Sequence, residues 1–429
     1  MVELLSPAGN LEKLKIALAY GADAVYGGVS HFSLRIRSGK EFTYDTFAKG
    51  VEYAHNLGKK VYVTINGFPF NSQLKLYKEH MKKMASMKPD AFIIATPGLI
   101  KMAKEIAPKI PIHLSTQANV MNFLDALVYY ELGVRRIIVA REISLKDIED
   151  IKASLPDLEL EVFVHGSMCF AYSGRCLISS LQSGRVANRG SCANDCRFPY
   201  ILYAKNPETG ITFRLEEEGV GTYIMNAKDM NLASYVDKII DSGAVDSLKI
   251  EGRTKSPYYV AVTTYAYRKA IDDYYAGKFN AEIYQKELHT TKNRGFTDAY
   301  LLHRPFERKE TQNLKSSISD GTYQVQAFVD EKGLTFLAKD RVCKDNEMEI
   351  FSPRPIENSV KNERGEIYKK DNGKWYLKMY RLETPKGKTY ETIHSGNENH
   401  ILLPAPLPPF TFLRTPIKTV NSSALQVCP

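Results

Sequence analysis

At 429 residues the chain exceeds the about 250–300 residues at which a single core stops growing, so two domains are expected. An apolar fraction of 44% and a charged fraction of 25% are ordinary for a globular protein and exclude a disordered or fibrous chain. The net charge of +9 permits a polyanionic partner such as RNA but does not demand one. No apolar run approaches the ~20 residues that cross a bilayer, and the opening MVELLSPAGNLEKLK lacks the features of an export signal. No membrane partner and a cytoplasmic location are therefore expected.

Short β-branched runs alternate with helical stretches from the N-terminus onward. The predicted strands are Val2–Leu5, Ala24–Gly28, Lys60–Asn66, Ala91–Ala95, Ile112–Thr116, Arg136–Ala140, Leu160–His165 and Ser247–Glu251. Seven are followed directly by a helical segment: Leu11–Tyr20, Tyr44–Leu57, Asn71–Met87, Gly98–Ile106, Phe123–Leu132, Ser144–Ala153 and Ser256–Ala276. Asp45 or Thr43, then Asn71 and Ser144, are predicted N-caps, and Gly21, Gly58 and Gly133 predicted helix stops. Eight such units are the count of a (β/α)8 TIM-like barrel; strand order alone also allows an open doubly wound sheet. The barrel is expected over residues 1–280.

The seventh unit carries a long insertion, about 166–245. It holds a predicted hairpin (Tyr200–Lys205, Ile211–Leu215, Tyr223–Asn226) and a helix around Asp229–Ile240. The Gly219-Val-Gly221 pair lacks a third glycine and signals little. Four cysteines crowd the same insertion: Cys169, Cys176, Cys192 and Cys196, spaced C-x6-C-x15-C-x3-C. The rest of the chain has two more, Cys343 and Cys428. Four thiolates are the full ligand set of a structural zinc or of an iron–sulfur cluster, and the spacing does not choose between them. A pair of disulfides would need an oxidising compartment.

Because βα loops build the catalytic face of a barrel, polar residues at the strand ends are the site candidates. Asn66 ends one strand; His113, Ser115 and Gln117 share one side of another by period two. Arg141 follows the sixth strand, His165 closes the seventh, and Lys249, Glu251 and Arg253 alternate along the eighth. His165 and Glu251 are the expected catalytic pair, and Asn66, Gln117, Arg141, Lys249 and Arg253 the expected substrate contacts. Glu–Lys or Glu–Arg pairs in a barrel mouth can also simply satisfy each other. There is no G-x-S-x-G, H-E-x-x-H or P-loop.

Residues 281–320 are read as a linker that includes the basic, aromatic stretch Arg294–Glu310 and begins with a helix near Asn280–Leu288. From Gly321 to Pro429 short strands predominate, with a hairpin around Glu331–Gly333, and predict a small all-β barrel or sandwich. Within Val360–Thr389, nine Lys or Arg stand against four Asp or Glu, interleaved with Tyr368, Trp375, Tyr376 and Tyr380. Such a strand face suits nucleic acid, and equally a plain solvated surface.

The stretch EVFVHGSMCFAYSGRCLIS resembles the signature E-x-F-x-x-G-[SA]-[LIVM]-C-x4-G-x-C-x-[LIVM]-S of the peptidase U32, or collagenase-like protease, family. It matches at Glu161, Phe163, Gly166, Ser167, Met168, Cys169, Gly174, Cys176, Ile178 and Ser179. ELLSPAGN, AVYGG, NRGSCANDCR and LKIEGR resemble the same family. The family name implies proteolysis, although thiols gathered as ligands suit hydrolysis poorly. Members that the sequence resembles are implicated in oxygen-independent or prephenate-dependent hydroxylation of a tRNA wobble uridine, a 23S rRNA cytidine or a ubiquinone precursor. The full length resembles the tRNA hydroxylation branch. The resemblance implies a [4Fe–4S] cluster on Cys169, Cys176, Cys192 and Cys196. It also implies prephenate as a cosubstrate, whose carboxylates Arg141, Lys249 and Arg253 would meet, and tRNA docking on the C-terminal strands. An electron donor or iron–sulfur assembly machinery would be a further partner. The alternatives are a U32-type peptidase and a non-catalytic RNA-binding protein with structural zinc.

Overall fold

A computed structural model describes residues 1–29, 32, 41–185, 192–215, 225–314, 321–396 and 399–417. The β-branched runs fold as strands β1 (Glu3–Pro7), β2 (Ala24–Gly27), β3 (Lys60–Thr64), β4 (Ala91–Ile94), β5 (Ile112–Leu114), β6 (Arg136–Ile138), β7 (Glu159–Ser167) and an eighth barrel strand, Ser247–Ile250. Each pairs in parallel with the next, and the eighth joins both β7 and β1. The sheet is thus closed, which excludes the open doubly wound arrangement. Helices Leu11–Ala19, Tyr44–Asn56, Leu74–Ser86, Pro97–Ile106, Phe123–Glu131, Leu145–Ser154 and Pro257–Tyr275 alternate with the strands.

Local signals set most of these boundaries. Thr43 and Ser144 each accept from the backbone N–H three residues on, closing capping boxes. Gly21, Gly58 and Gly133 take positive φ where helices end. Asn71 instead opens a short 3-10 turn ahead of its helix. The hairpin Leu202–Lys205 with Thr212–Leu215 forms as expected, whereas Gly219-Val-Gly221 and part of Tyr223–Asn226 lie outside the described residues.

Two readings of the sequence need correction. Asp229–Asn231 begins no helix. It is a strand antiparallel to β7, which outruns the barrel and offers a free edge; helix follows only at Val236–Asp241. Residues 281–320 are also not a plain linker. Phe296–Thr297 adds a parallel strand beside Asp229–Met230, and the buried Arg294 pairs with Asp229. Residues 293–320 accordingly cluster with 1–288, while 289–292 cluster with the chain from 321 onward.

Charges as well as aliphatic side chains fill the barrel. Leu5, Tyr26, Tyr62, Ile93, Ile138 and Phe163 pack in its interior. Among them Glu161, wholly buried, takes Lys249 Nζ at 2.5 Å and Arg136 at 3.2 Å. Arg136 also reaches Glu3 at 2.5 Å, and Glu3 accepts from Tyr62 at 2.7 Å and Ser247 at 3.0 Å. Burial pushes the Glu3 carboxyl up, but Arg136 and these hydroxyls hold it below the usual range.

The second unit is built on an eight-stranded antiparallel sheet, ordered Val360–Asn362, Gly365–Lys369, Trp375–Met379, Glu347–Phe351, Phe412–Pro416, Tyr323–Val329, Thr335–Ala338 and Ile401–Leu402, with two shorter ladders, Val342–Cys343 with Thr392–Ile393 and Leu382–Glu383 with Thr389–Tyr390. It encloses its own core, which includes Phe336, Leu377, Met379 and Leu413. Among the described residues of both units, no helix is long and apolar enough to cross a membrane.

Removing one partner from a buried ion network leaves the others desolvated and unpaired, at a cost of about 3–5 kcal/mol. Arg136→Ala should therefore lower the urea unfolding midpoint of the chain sharply, while Lys82→Ala, in an exposed pair with Glu79, should not. Equal midpoints for the two variants would show that the barrel network contributes little.

Candidate active site at the carboxyl ends of the strands

The loops after the strands enclose a cavity of about 130 Å³. A cavity of about 150 Å³ admits benzene, so this one is large enough for a small ring. Its wall includes Asn66, Gln117, Arg141, Lys249, Glu251, Arg253 and all four clustered cysteines. Ten of the eleven residues expected at the site thus meet in one place. Thr64, Tyr26, Phe163, Ser173 and Arg197 also line it and were not among the expected catalytic, substrate or ligand residues. The signal for Arg197 was its place beside Cys196; for Phe163, period-two alternation from Glu161.

His165 is the exception. The pairing of β7 with Ser247–Ile250 runs Ser247 to Glu161 and Lys249 to Phe163, then Ile250 to His165, so one residue of β7 bulges at that step. A bulge reverses the alternation beyond it. Glu161 and Phe163 face the barrel interior, whereas His165 packs outside the cavity among Tyr259, Tyr267 and Phe296. Burial drives its pKa down to about 3, against a smaller opposing pull from Asp229. Among the described residues, no histidine lines the cavity.

The cavity's cations are held from behind. Lys249 keeps Glu161 as its counter-ion and lies 4.3 Å over the Tyr26 ring. Burial nevertheless draws the Lys249 ammonium below its usual range, with Glu161 opposing. Arg253 donates to Thr64 at 2.9 Å, and Arg141 lies 4.1 Å over Phe163. Gly166 explains one fixed position of the signature. Its φ is +115°, and a Cβ there would stand 2.6 Å from the Glu251 carbonyl oxygen.

The cysteine segment is pinned to neighbouring loops. Arg175 donates to the Gln117 carbonyl at 2.8 Å, and Ser173 N–H to Glu142 at 2.8 Å. All four cysteines are thiols outside any disulfide. The Cys196 thiol is pushed up by burial and by Cys169, Cys192 and Cys176, with Arg197 opposing, so the other three lie within electrostatic reach of Cys196. The Ile178 N–H points to Cys176 Sγ at 3.4 Å, and the Ser179 hydroxyl lies 4.0 Å from Cys192 Sγ. Among the described residues, no three His, Cys, Asp or Glu side chains gather tightly enough to ligate one metal ion.

A closed parallel barrel with a polar, thiol-walled cavity at the carboxyl ends of its strands has the layout of a TIM-barrel enzyme. Residues 9–311 match Peptidase family U32, and the chain belongs to that family. It is 61% identical to "tRNA hydroxylation protein P" of Helicobacter pylori strain J99, over 97% of this chain and 99% of that protein. The protein of the same name from Escherichia coli K12 is 38% identical, over 82% and 86% of the two chains. A protein called "Collagenase" from Porphyromonas gingivalis W83 is 31% identical, over 70% and 73%.

The neutral His165 predicts a pH effect on stability. The unfolded chain protonates this ring below about pH 6.5, but the folded chain does so only near pH 3. Stability is therefore full above pH 6.5 and falls as the pH drops through that window, by up to about 1.4 kcal/mol per pH unit for such a group. His165→Gln should give a shallower fall in unfolding free energy between pH 7 and pH 5 than the parent chain. Parallel slopes would contradict the buried neutral assignment.

Proposed function

We propose that the chain is an iron–sulfur enzyme that hydroxylates RNA, with prephenate-dependent 5-hydroxylation of the tRNA wobble uridine as its reaction. One observation carries this reading: four thiols share the wall of a ring-sized cavity with Arg141, Arg253, Lys249 and Glu251. Relatives named for tRNA hydroxylation match along most of their length and at the higher identities, which supports RNA as the substrate class. A peptidase needs an activated nucleophile, and among the described residues the cavity wall offers no histidine to act as its base.

Cys169, Cys176, Cys192 and Cys196 would hold the cluster. The donor set suits it: a cubane takes one cysteine at each of four irons, so its ligands stand wider apart than those of a single zinc ion. The cluster supplies the electron chemistry that activating a pyrimidine carbon demands and side chains lack. The protein's own groups bind and orient. Arg141 and Arg253 offer guanidinium groups to the carboxylates of a prephenate-like cosubstrate. Glu251 is placed to hold or move a proton at the cavity wall, while Asn66 and Gln117 offer amides to a base. An electron donor or the cluster-assembly machinery would be a further partner, and the compartment would be cytoplasmic.

The C-terminal strands are the proposed tRNA-docking face, but much of their charge is neutralised. Lys370 pairs with Glu347, Lys374 with Glu349, Lys361 with Glu366, and Arg364 and Arg381 with Glu383. Trp375 packs against the core of its own unit. Lys369, Lys378, Lys386 and Lys388 make no ion pair among the described residues and are the groups left for phosphate.

Anaerobically purified protein should contain roughly four iron and four sulfide per chain, and Cys169→Ser, Cys176→Ser or Cys192→Ser should bleach it. Nucleosides of tRNA from a deletion strain should lose 5-hydroxyuridine derivatives, restored by the parent gene and not by Cys176→Ser. Unchanged nucleosides would refute the reading. Changing Lys369, Lys378, Lys386 and Lys388 together to Ser should weaken tRNA binding and flatten its dependence on salt. An unaltered salt slope would remove the C-terminal strands from the docking surface.

A further inference from the structure

A second, larger chamber opens beside the ring-sized cavity, with a volume of about 600 Å³ against about 130 Å³. The two share Met168, Cys169 and Phe170 as a common wall. An occupant of the chamber would therefore lie next to whatever enters the cavity. Tyr172, Tyr300, Arg304 and Gln312 also line it.

The character of this lining is specific. Phe170 is 50% exposed and Tyr172 47%, although both sit in a concave wall where apolar rings are normally covered. The acids present are already engaged: Glu142 accepts from Ser173, and Asp147 from Ser144. His303 lies between Glu310 and Asp298. Arg304 is exposed and makes no ion pair among the described residues. Gln312 Oε1 is buried without a hydrogen-bond partner. Aromatic faces, an unengaged guanidinium and an unmet acceptor describe a pocket for a flat, donor-bearing ring attached to an anion. A nucleotide has that make-up.

We propose that this chamber is a nucleotide subsite that receives the base adjacent to the one entering the cysteine-walled cavity, and so selects the sequence context of the modified position. The proposal rests on the reading of the chain as an RNA hydroxylase. Consecutive bases of a single strand splay onto aromatic platforms, and the shared wall sets the two sites one nucleotide apart. Tyr172 and Tyr300 supply ring faces, and Arg304 meets the intervening phosphate.

The test uses the full, iron-loaded chain and measures affinity for unfractionated tRNA at fixed salt. Tyr172→Ala and Tyr300→Ala should each weaken binding roughly 5- to 150-fold, the range for loss of one stacked base. Tyr172→Phe and Tyr300→Phe should bind nearly as the parent does, and Arg304→Gln should bind more weakly. Iron content reports on the neighbouring cysteines; should Tyr172→Ala lose iron, Tyr300→Ala lies on a separate segment and decides alone. If the parent binds tRNA and the alanine variants bind it equally well, the subsite is overturned and the hydroxylase reading stands. If the parent neither binds tRNA nor restores 5-hydroxyuridine to a deletion strain, both fall. Tight binding of free AMP or UMP that Tyr300→Ala abolishes, with tRNA affinity unchanged, would make the chamber a site for free nucleotides and overturn the proposal.

Discussion

Glu161 organises the barrel. It is fully buried, and it is held at once by Arg136 on the neighbouring strand and by Lys249 on the eighth. An isolated carboxylate could not stay ionised there. With both cations in place, it fixes the Lys249 ammonium at the cavity wall. Arg136 in turn ties Glu161 to Glu3 on the first strand. The chain of charges crosses the interior from β1 through β6 and β7 to the eighth strand. It therefore pins the closing seam of the barrel and positions a catalytic-face cation with the same contacts. Well-packed aliphatic side chains could give comparable stability, but they would not aim an amine into the cavity.

The cysteine segment depends on that frame without being part of it. Its hold on the barrel comes from Arg175 reaching the Gln117 carbonyl and from Ser173 bound to Glu142. Those anchors lie on the loops after β5 and β6, while the chain enters from the end of β7. Three separate loops thus converge on the thiols. The cavity is consequently assembled by closure of the barrel, and no single stretch of sequence contains it.

The strands, most helix ends and the site were legible because each rests on local chemistry. A strand end marked Asn66, period two marked Gln117, an N-cap signal marked Ser144, and density marked the cysteines. The failures share a cause as well. His165 was misplaced because a bulge depends on the partner strand and leaves no mark in β7 itself. Asp229–Asn231 was read as helical because its extended form is imposed by the free edge of β7. How much of the basic charge on the C-terminal strands is neutralised was not legible, because Glu347 and Glu349, which pair with Lys370 and Lys374, come from a strand outside the basic window.

The bulge has a consequence for how this sequence can vary. Upstream of it, β7 keeps the register that points Glu161 inward; downstream, it keeps the register that pairs His165, Gly166 and Ser167 with Asn231, Met230 and Asp229. The two requirements are reconciled by one extra residue at a single step. Insertion or deletion of one residue between Glu161 and Ser167 would satisfy one register only by inverting the other. The stretch therefore works as a ruler of fixed length. Side chains along it can be exchanged within limits, but its residue count cannot drift.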